Sequence, residues 1–289
     1  MTSRDDKDRL LALQKDYIQL KEGKDAFLTM IAEAEIPESV YNSNAIENST
    51  LTLAETERIL LEMEVTRDVS LREVFEAKNL ARVMEYLCLK NKTFGLNADF
   101  ILTLHQMFMG NIDDSIAGKF RQKNEYVRIG NYIATPPEHI ESRIHSLLNE
   151  YSSDSISYFL EKIAKFHLEF ELIHPFVDGN GRIGRTILNF QLAQCNLPPI
   201  TIRNKEKSSY HLGFIDYQNT KATKKMEKII YLAVLESLHK CLAYLQGKKI
   251  ISVMEYSKTA NKTASAILNQ AARQTIPAFR ERGVWKIGV

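Results

Sequence analysis

The sequence predicts an all-α fold, and three observations carry that expectation. Apolar side chains return every three or four residues through most of the 289-residue chain, which is the period of an amphipathic helix. Ahead of the last forty residues, a strand-turn-strand pattern stands out in one place only, around Tyr126–Ile133. Helix breakers fall between the periodic runs, at Pro37, Gly95, Pro136–Pro137 and Pro198–Pro199, as punctuation should. A chain of this length that is 44% hydrophobic can bury a sizeable core, in one large domain with an appendage or in two domains.

In chain order, residues 7–36 carry Leu10, Leu13, Tyr17 and Leu20, then Phe27, Ile31 and Ala34, at helical spacing, and Pro37 is expected to close the segment. Tyr41–Thr50 is rich in Asn and Ser, so taken alone it looks like a cap or loop, with Ser43 and Glu47 as a capping pair. Leu71, Val74, Ala77, Ala81, Met84 and Cys88 make a core helix ending near Asn91 and Gly95. Asp99–Met109 is a further helix, whose His105 reads as structural, as does His167, because neither sits in a ligand-like cluster. Tyr126, Val127, Ile129, Tyr132 and Ile133 flank Gly130–Asn131 as a hairpin. Helix resumes over 140–148 and 155–173, then from Arg182 to Cys195, 208–219 and 224–245; Tyr210 reads first as a core tyrosine.

Gly247–Lys249 looks like a linker, and the composition changes beyond it. The spacing predicts short helices over 250–258 and 263–273, then two short strands around Arg282–Gly283. From Lys249 onward there are seven Lys/Arg against two Glu, a local balance of +5. Such a surplus favours a phosphate backbone. The pattern resembles the winged helix-turn-helix of excisionase-like DNA-binding proteins, and DNA is a candidate partner for residues 249–289; a small packing or oligomerisation module with a solvated basic face is the other reading.

The whole chain is nearly neutral at +2, so overall charge decides nothing about nucleic acid. Cys88, Cys195 and Cys241 are far apart and set among apolar residues, as expected of reduced thiols in a cytosolic protein. The charged N-terminus precedes no long apolar run, so neither a secretory signal nor a membrane partner is expected, and the expected location is cytoplasmic.

Chemistry concentrates in His174–Arg185, His-Pro-Phe-Val-Asp-Gly-Asn-Gly-Arg-Ile-Gly-Arg. Gly179, Asn180 and Gly181 form a turn whose backbone N–H groups can converge on an anion, delivered at a helix N-terminus. Arg182 and Arg185, three apart on the first turn, can both fork onto phosphate oxygens. Asp178 faces a phosphate favourably only through a cation, and one carboxylate with phosphate oxygens is how Mg²⁺ is usually held. His174 can accept a proton near neutral pH, which suits activation of a hydroxyl. Gly179-x-Gly181-x-x-Gly184 also matches the dinucleotide fingerprint, but that fingerprint needs a preceding strand and residues 155–173 read as helix.

His174–Arg185 resembles the Fic family motif, His-Pro-Phe-x-Asp-Gly-Asn-Gly-Arg-x-x-Arg, with no departure over twelve residues. The resemblance implies a Fic-type helical core that transfers AMP from ATP to a Ser, Thr or Tyr hydroxyl of a target protein. It further implies His174 as general base, Asp178 as Mg²⁺ ligand, the Gly179–Gly181 turn with Arg182 on the α- and β-phosphates, and Arg185 on the γ-phosphate. Ser43-Asn-Ala-Ile-Glu47-Asn48 is similar to the family's inhibitory helix in its N-terminal version. On that resemblance Glu47 competes with the γ-phosphate for Arg185, and the resting enzyme is nearly silent. The hairpin becomes a flap that aligns an extended target segment along Tyr126–Ile133 by β-augmentation. The resulting division is 1–95, an N-terminal helical region with the inhibitory helix; 96–246, the Fic core and trailing helices; and 247–289, the winged helix-turn-helix-like unit. Two other functions stay open: removal of AMP with Glu47 orienting water, and a DNA-binding regulator whose core senses nucleotide. A homodimer fits either, self-association being one way to bury or free the Glu47 helix.

Overall fold

Ser3 accepts the backbone N–H of Asp6 and Asp6 returns the bond, and this capping box opens α1, Arg4–Lys21. The computed structural model describes residues 3–65, 67–90, 95–130 and 132–289. The expected end of the 71–88 helix near Asn91, and Asn131 of the hairpin turn, lie outside the described residues.

The second helix corrects the reading of Pro37. α2 runs unbroken over Asp25–Ile46 with Pro37 inside it. A proline there removes one backbone donor, but Ile36, Pro37, Glu38 and Val40 are all buried against neighbours, and packing outweighs the lost bond. The Asn/Ser-rich stretch is helical as far as Ile46 for a similar reason, because its polar side chains have partners. Asn42 donates to the Glu38 carbonyl at 2.8 Å and accepts from the Asn204 backbone at 3.0 Å.

α3, Leu53–Glu57, passes through a turn of π-helix at Arg58–Glu62. α4 is Leu71–Lys90 and α5 is Ala98–Met109, the latter capped by Asn97. The hairpin is shorter than its apolar pattern suggests: β1, Arg128–Ile129, pairs with β2, Tyr132–Ile133, and Ala134 N–H to Val127 O extends the pairing. α6 is Ile140–Ser153 and α7 is Phe159–Ile173. α7 begins four residues later than the expected 155–173, because Asp154 accepts the Ile156 and Ser157 N–H groups and bends the chain, leaving Ile156 97% exposed. α8, Asn180–Gln194, α9, Lys207–Thr220, and α10, Lys224–Leu245, follow.

Two cores meet across α7 and α8. One side of this pair packs Phe166, Phe170, Ile183 and Phe190 with α2, α4, α5 and α6. The other packs Leu160, Leu168, Leu188 and Leu192 with α1, α9 and α10. α8 is therefore buried nearly all round, with Asn180, Arg182, Arg185, Thr186 and Gln191 enclosed beside its apolar residues.

The last forty residues hold β3, Ile250–Ser252, α11, Val253–Thr259, α12, Ala264–Ala272, β4, Ala278–Glu281, and β5, Val284–Gly288, with an antiparallel sheet ordered β3-β5-β4. The expected helix over 250–258 is corrected at its start. Ile250 and Ile251 pair with Gly288 and Ile287, and Ser252 caps α11. The β4–β5 turn docks on α2 through its backbone: the Arg282 and Gly283 N–H groups each donate to Glu38 at 2.9 Å. Of the seven cations, Arg280 pairs with Glu236 and Glu206, Arg282 with Glu57, and Lys286 with Glu281. Lys249, Lys258, Lys262 and Arg273 are exposed. Among the described residues no helix is long and apolar enough to cross a membrane, and Cys88, Cys195 and Cys241 are free thiols.

Candidate active site

α7 ends at Ile173, and His174 takes a left-handed conformation (φ 50°) that turns the chain into the motif loop while its N–H still bonds Phe170 O at 2.9 Å. The loop is closed by Asn180, whose side chain accepts from Phe176 N–H and donates to Phe176 O, both at 2.8 Å. Asn180 therefore offers an anion its backbone N–H, since its amide is already engaged. Gly179 caps α8 at φ 83°, and a Cβ there would meet the Phe108 ring at 3.1 Å.

Asp178 collects cations. Arg182 donates to Oδ1 at 2.8 Å, and Arg72 of α4 pairs with Oδ2. Glu76 closes the square, bonding Arg182 and Arg72 at 3.0 Å each, and the Arg182 guanidinium lies 4.6 Å over the Phe108 ring. Arg72 is half exposed and Asp178 one-third exposed, so the outer face of this carboxylate is open to exchange of partners.

At the other edge of the α8 N-terminus, Arg185 bonds Ser43 Oγ at 3.0 Å, Ser43 O at 2.8 Å and Glu47 Oε1 at 3.0 Å. Ser43 lies in the last turn of α2 and Glu47 is its C-cap, followed by Asn48 at φ 69°, where Gly or Asn is most at ease. The Glu47 carboxylate presses on Gly181 so closely that a Cβ there would collide with Oε1. An anion thus already occupies the helix N-terminus. Burial opposes ionisation of Glu47, but Arg185 and then Arg182 outweigh it and hold the carboxyl below its ordinary value. The side chain of Arg185 is 8% exposed and that of Glu47 37%, so the pair sits at the rim of open space.

Other side chains that organise the loop had no motif to announce them. Buried Arg121 donates to His174 O at 2.8 Å, Glu125 O at 2.7 Å and Thr135 O at 2.8 Å, tying both ends of the hairpin to the motif. His105 stacks on Phe176 with ring centres 3.7 Å apart, accepts Gly118 N–H at Nδ1 and so donates from Nε2 to Asp178 O at 3.0 Å. Burial holds His105 near pKa 4, as a neutral ring. Tyr210 is a core residue, with its hydroxyl 2.6 Å from His167 Nε2. The only sequence signal for Arg72 and Glu76 was a charged i,i+4 pair in an apolar helix. A cavity of about 400 Å³ lined by Leu28, Met84, Phe190 and Lys240 contains none of these motif groups, so chemistry and not volume locates the site.

A helix N-terminus capped by Gly179 thus stands between His174 and two buried arginines, Arg182 and Arg185, on a helical scaffold. The chain matches the Fic/DOC family over residues 95–192. It is 27% identical over 248 residues to "Protein adenylyltransferase fic-1" of Caenorhabditis elegans, covering 84% of this chain and 45% of that protein. To the Caenorhabditis briggsae protein of the same name it is 30% identical over 235 residues, with coverages of 80% and 43%. The chain thus spans less than half the length of these relatives. Among solved structures, a Fic domain containing signaling protein from Bacteroides thetaiotaomicron superposes with a TM-score of 0.72 at 24% identity over 83% of this chain and 97% of its own. A Fic family protein from Desulfovibrio desulfuricans superposes at 0.67 and 17% identity over 100% of this chain and 97% of its own. These likenesses show the fold alone.

Proposed function

We propose that the protein is a self-inhibited adenylyltransferase that moves AMP from ATP to a Ser, Thr or Tyr hydroxyl of a target protein. The observation that carries the reading is the Glu47 carboxylate seated on Gly181 and Arg185, where a phosphate would otherwise lie; the names of the two worm relatives support the chemistry. His174 accepts the hydroxyl proton, the oxygen forms a bond to the α-phosphorus, and the bond to the departing pyrophosphate breaks. Backbone N–H groups of 179–181 with Arg182 hold the inner phosphates, and Arg185 awaits the γ-phosphate. Asp178 suits a divalent cation, since its carboxylate already draws two guanidinium groups and its outer partner Arg72 is exposed. Bound there, Mg²⁺ would neutralise phosphate charge. A target segment would lie along the hairpin at Tyr126–Ile133, where Tyr126 and Ile133 are exposed.

The test is incubation of wild type, Glu47→Gly and Glu47→Gly/His174→Ala with Mg²⁺ and α-labelled ATP, read by intact mass. Gain of one AMP by the single variant alone is the expected result. No label on any of the three would turn the reading toward AMP removal, with Glu47 orienting water. DNA binding through 249–289 would rest on Lys249, Lys258, Lys262 and Arg273, and a steep salt dependence of duplex binding is its signature.

A further inference from the structure

We propose that Glu171 is a positioning residue for His174, its carboxyl holding the Nδ1 side of the imidazole so that Nε2 is the nitrogen offered to the target hydroxyl. This rests on the adenylyl-transfer reading and adds a residue to it. Glu171 stands on the last turn of α7, and its Oε2 is 3.8 Å from His174 Nδ1, whose other neighbour is the Glu171 carbonyl at 3.3 Å. Among the described residues its Oε1 is buried without a hydrogen-bond partner. The space it occupies exists because residue 184 is glycine: a Cβ there would lie 2.5 Å from that oxygen. A carboxyl kept in an enclosed space beside a base, with an oxygen left unsatisfied, is costly as structure alone.

The surrounding charges come from every element packed on the pair. Glu47 of α2, Arg185 of α8 and Tyr210 of α9 act on Glu171, and Arg121, Glu47 and Asp178 act on His174. Burial first and the Glu47 charge second push the Glu171 carboxyl up to about 8, against the pull of Arg185, while burial brings His174 down to about 4. The resting site therefore pairs a neutral acid with a weak base. Withdrawal of Glu47 removes the like charge and eases ionisation of Glu171. When Nε2 then takes the hydroxyl proton, the resulting imidazolium keeps its Nδ1 proton and donates it toward the Glu171 carboxylate; no proton passes to Glu171. A carboxylate behind a general-base histidine orients and stabilises it in this way. Glu47 thus restrains the base as well as Arg185.

The experiment compares Glu47→Gly with Glu47→Gly/Glu171→Gln and Glu47→Gly/Glu171→Asp, using ¹⁵N NMR of the His174 ring without nucleotide and kcat and KM for ATP between pH 5.5 and 9. Expected for Gln are a mixed ring tautomer, a His174 midpoint lower by about one pH unit, at least a tenfold loss of kcat, KM within twofold, and an acidic limb moved to lower pH; Asp restores part of the loss. Identical tautomer and midpoint in the Gln variant would overturn the proposal. If Glu47→Gly takes up no AMP, the transferase reading fails by itself, and the NMR comparison still decides on Glu171.

Discussion

α2 is gripped twice by an arginine and a carboxylate, and the two grips differ in everything but their chemistry. At its C-terminal end Arg185 holds Ser43 and Glu47, with the Glu47 side chain 37% open. A little over two turns earlier, Glu38 accepts Arg203 and the Arg282 and Gly283 N–H groups, and both its side chain and that of Arg203 are less than 8% exposed. The first grip meets solvent at Glu47, which is what the proposed exchange with a nucleotide phosphate requires. The second is enclosed by α2, α10 and the β4–β5 turn, with Arg203 also bonded to Glu236 at 2.9 Å, so little water reaches either partner. Burial turns one arginine–carboxylate contact into a latch and the other into a clamp.

Glu38→Ala should break the clamp at the largest cost. It leaves Arg203 buried with one partner gone and orphans two backbone donors, a loss of about 3–5 kcal/mol, readable as an early denaturant midpoint and faster hydrogen exchange in 278–288. An unchanged midpoint would erase the contrast.

On the latch side, Glu171→Gln should raise stability at neutral pH. A carboxyl whose folded value is raised contributes stability fully present below about pH 4.5 and lost as pH rises through about 8. Glutamine has no such slope, so the variant should gain about 1–3 kcal/mol over wild type at pH 7.5 and nothing at pH 4.5. Parallel curves for the two proteins would show that Glu171 is ionised in the fold. A residue whose replacement stabilises the fold while slowing the reaction is placed for function.

Glu47→Gly should cost less, about 1–2 kcal/mol, because Ser43 keeps two bonds to Arg185 and water reaches the rim. ATP should restore more stability to this variant than to wild type, which thermal melts with and without nucleotide would measure. Smallest of all, Arg282→Gln should change stability by no more than about 0.5 kcal/mol. Its guanidinium pairs with Glu57 from a side chain that is 73% exposed, and the bond to Glu38 comes from its backbone. A large loss there would mean the clamp depends on the side chain after all.

The motif end of the site was legible because its parts are close in sequence. Gly179, Arg182 and Arg185 open one helix, although the two arginines, expected to share one anion, rest on different carboxylates, Arg182 on Asp178 and Glu76 and Arg185 on Glu47. Glu47 is 138 residues from Arg185, and only a resemblance joined them beforehand. Arg72, Glu76, Arg121 and His105 carried no such marker. Arg72 reaches Asp178 across 106 residues, and Arg121 works almost wholly through backbone carbonyls, which leave no pattern in side-chain order. Two of the misread elements share one cause: Pro37 inside α2 and the strand at Ile250–Ser252 both obey distant neighbours over local preference, whereas the late start of α7 is set locally by Asp154.

By itself, then, the sequence determined what depends on neighbours within a few turns: the helical periodicities, the glycine-capped start of α8, and the grouping of the His174–Arg185 side chains around that helix start. Only the tertiary structure decided which carboxylate meets which arginine and how much water reaches each. Those two facts separate the latch at Glu47 from the clamp at Glu38, because the strength and exchangeability of an ion pair depend on its surroundings, and its surroundings are assembled from the whole chain.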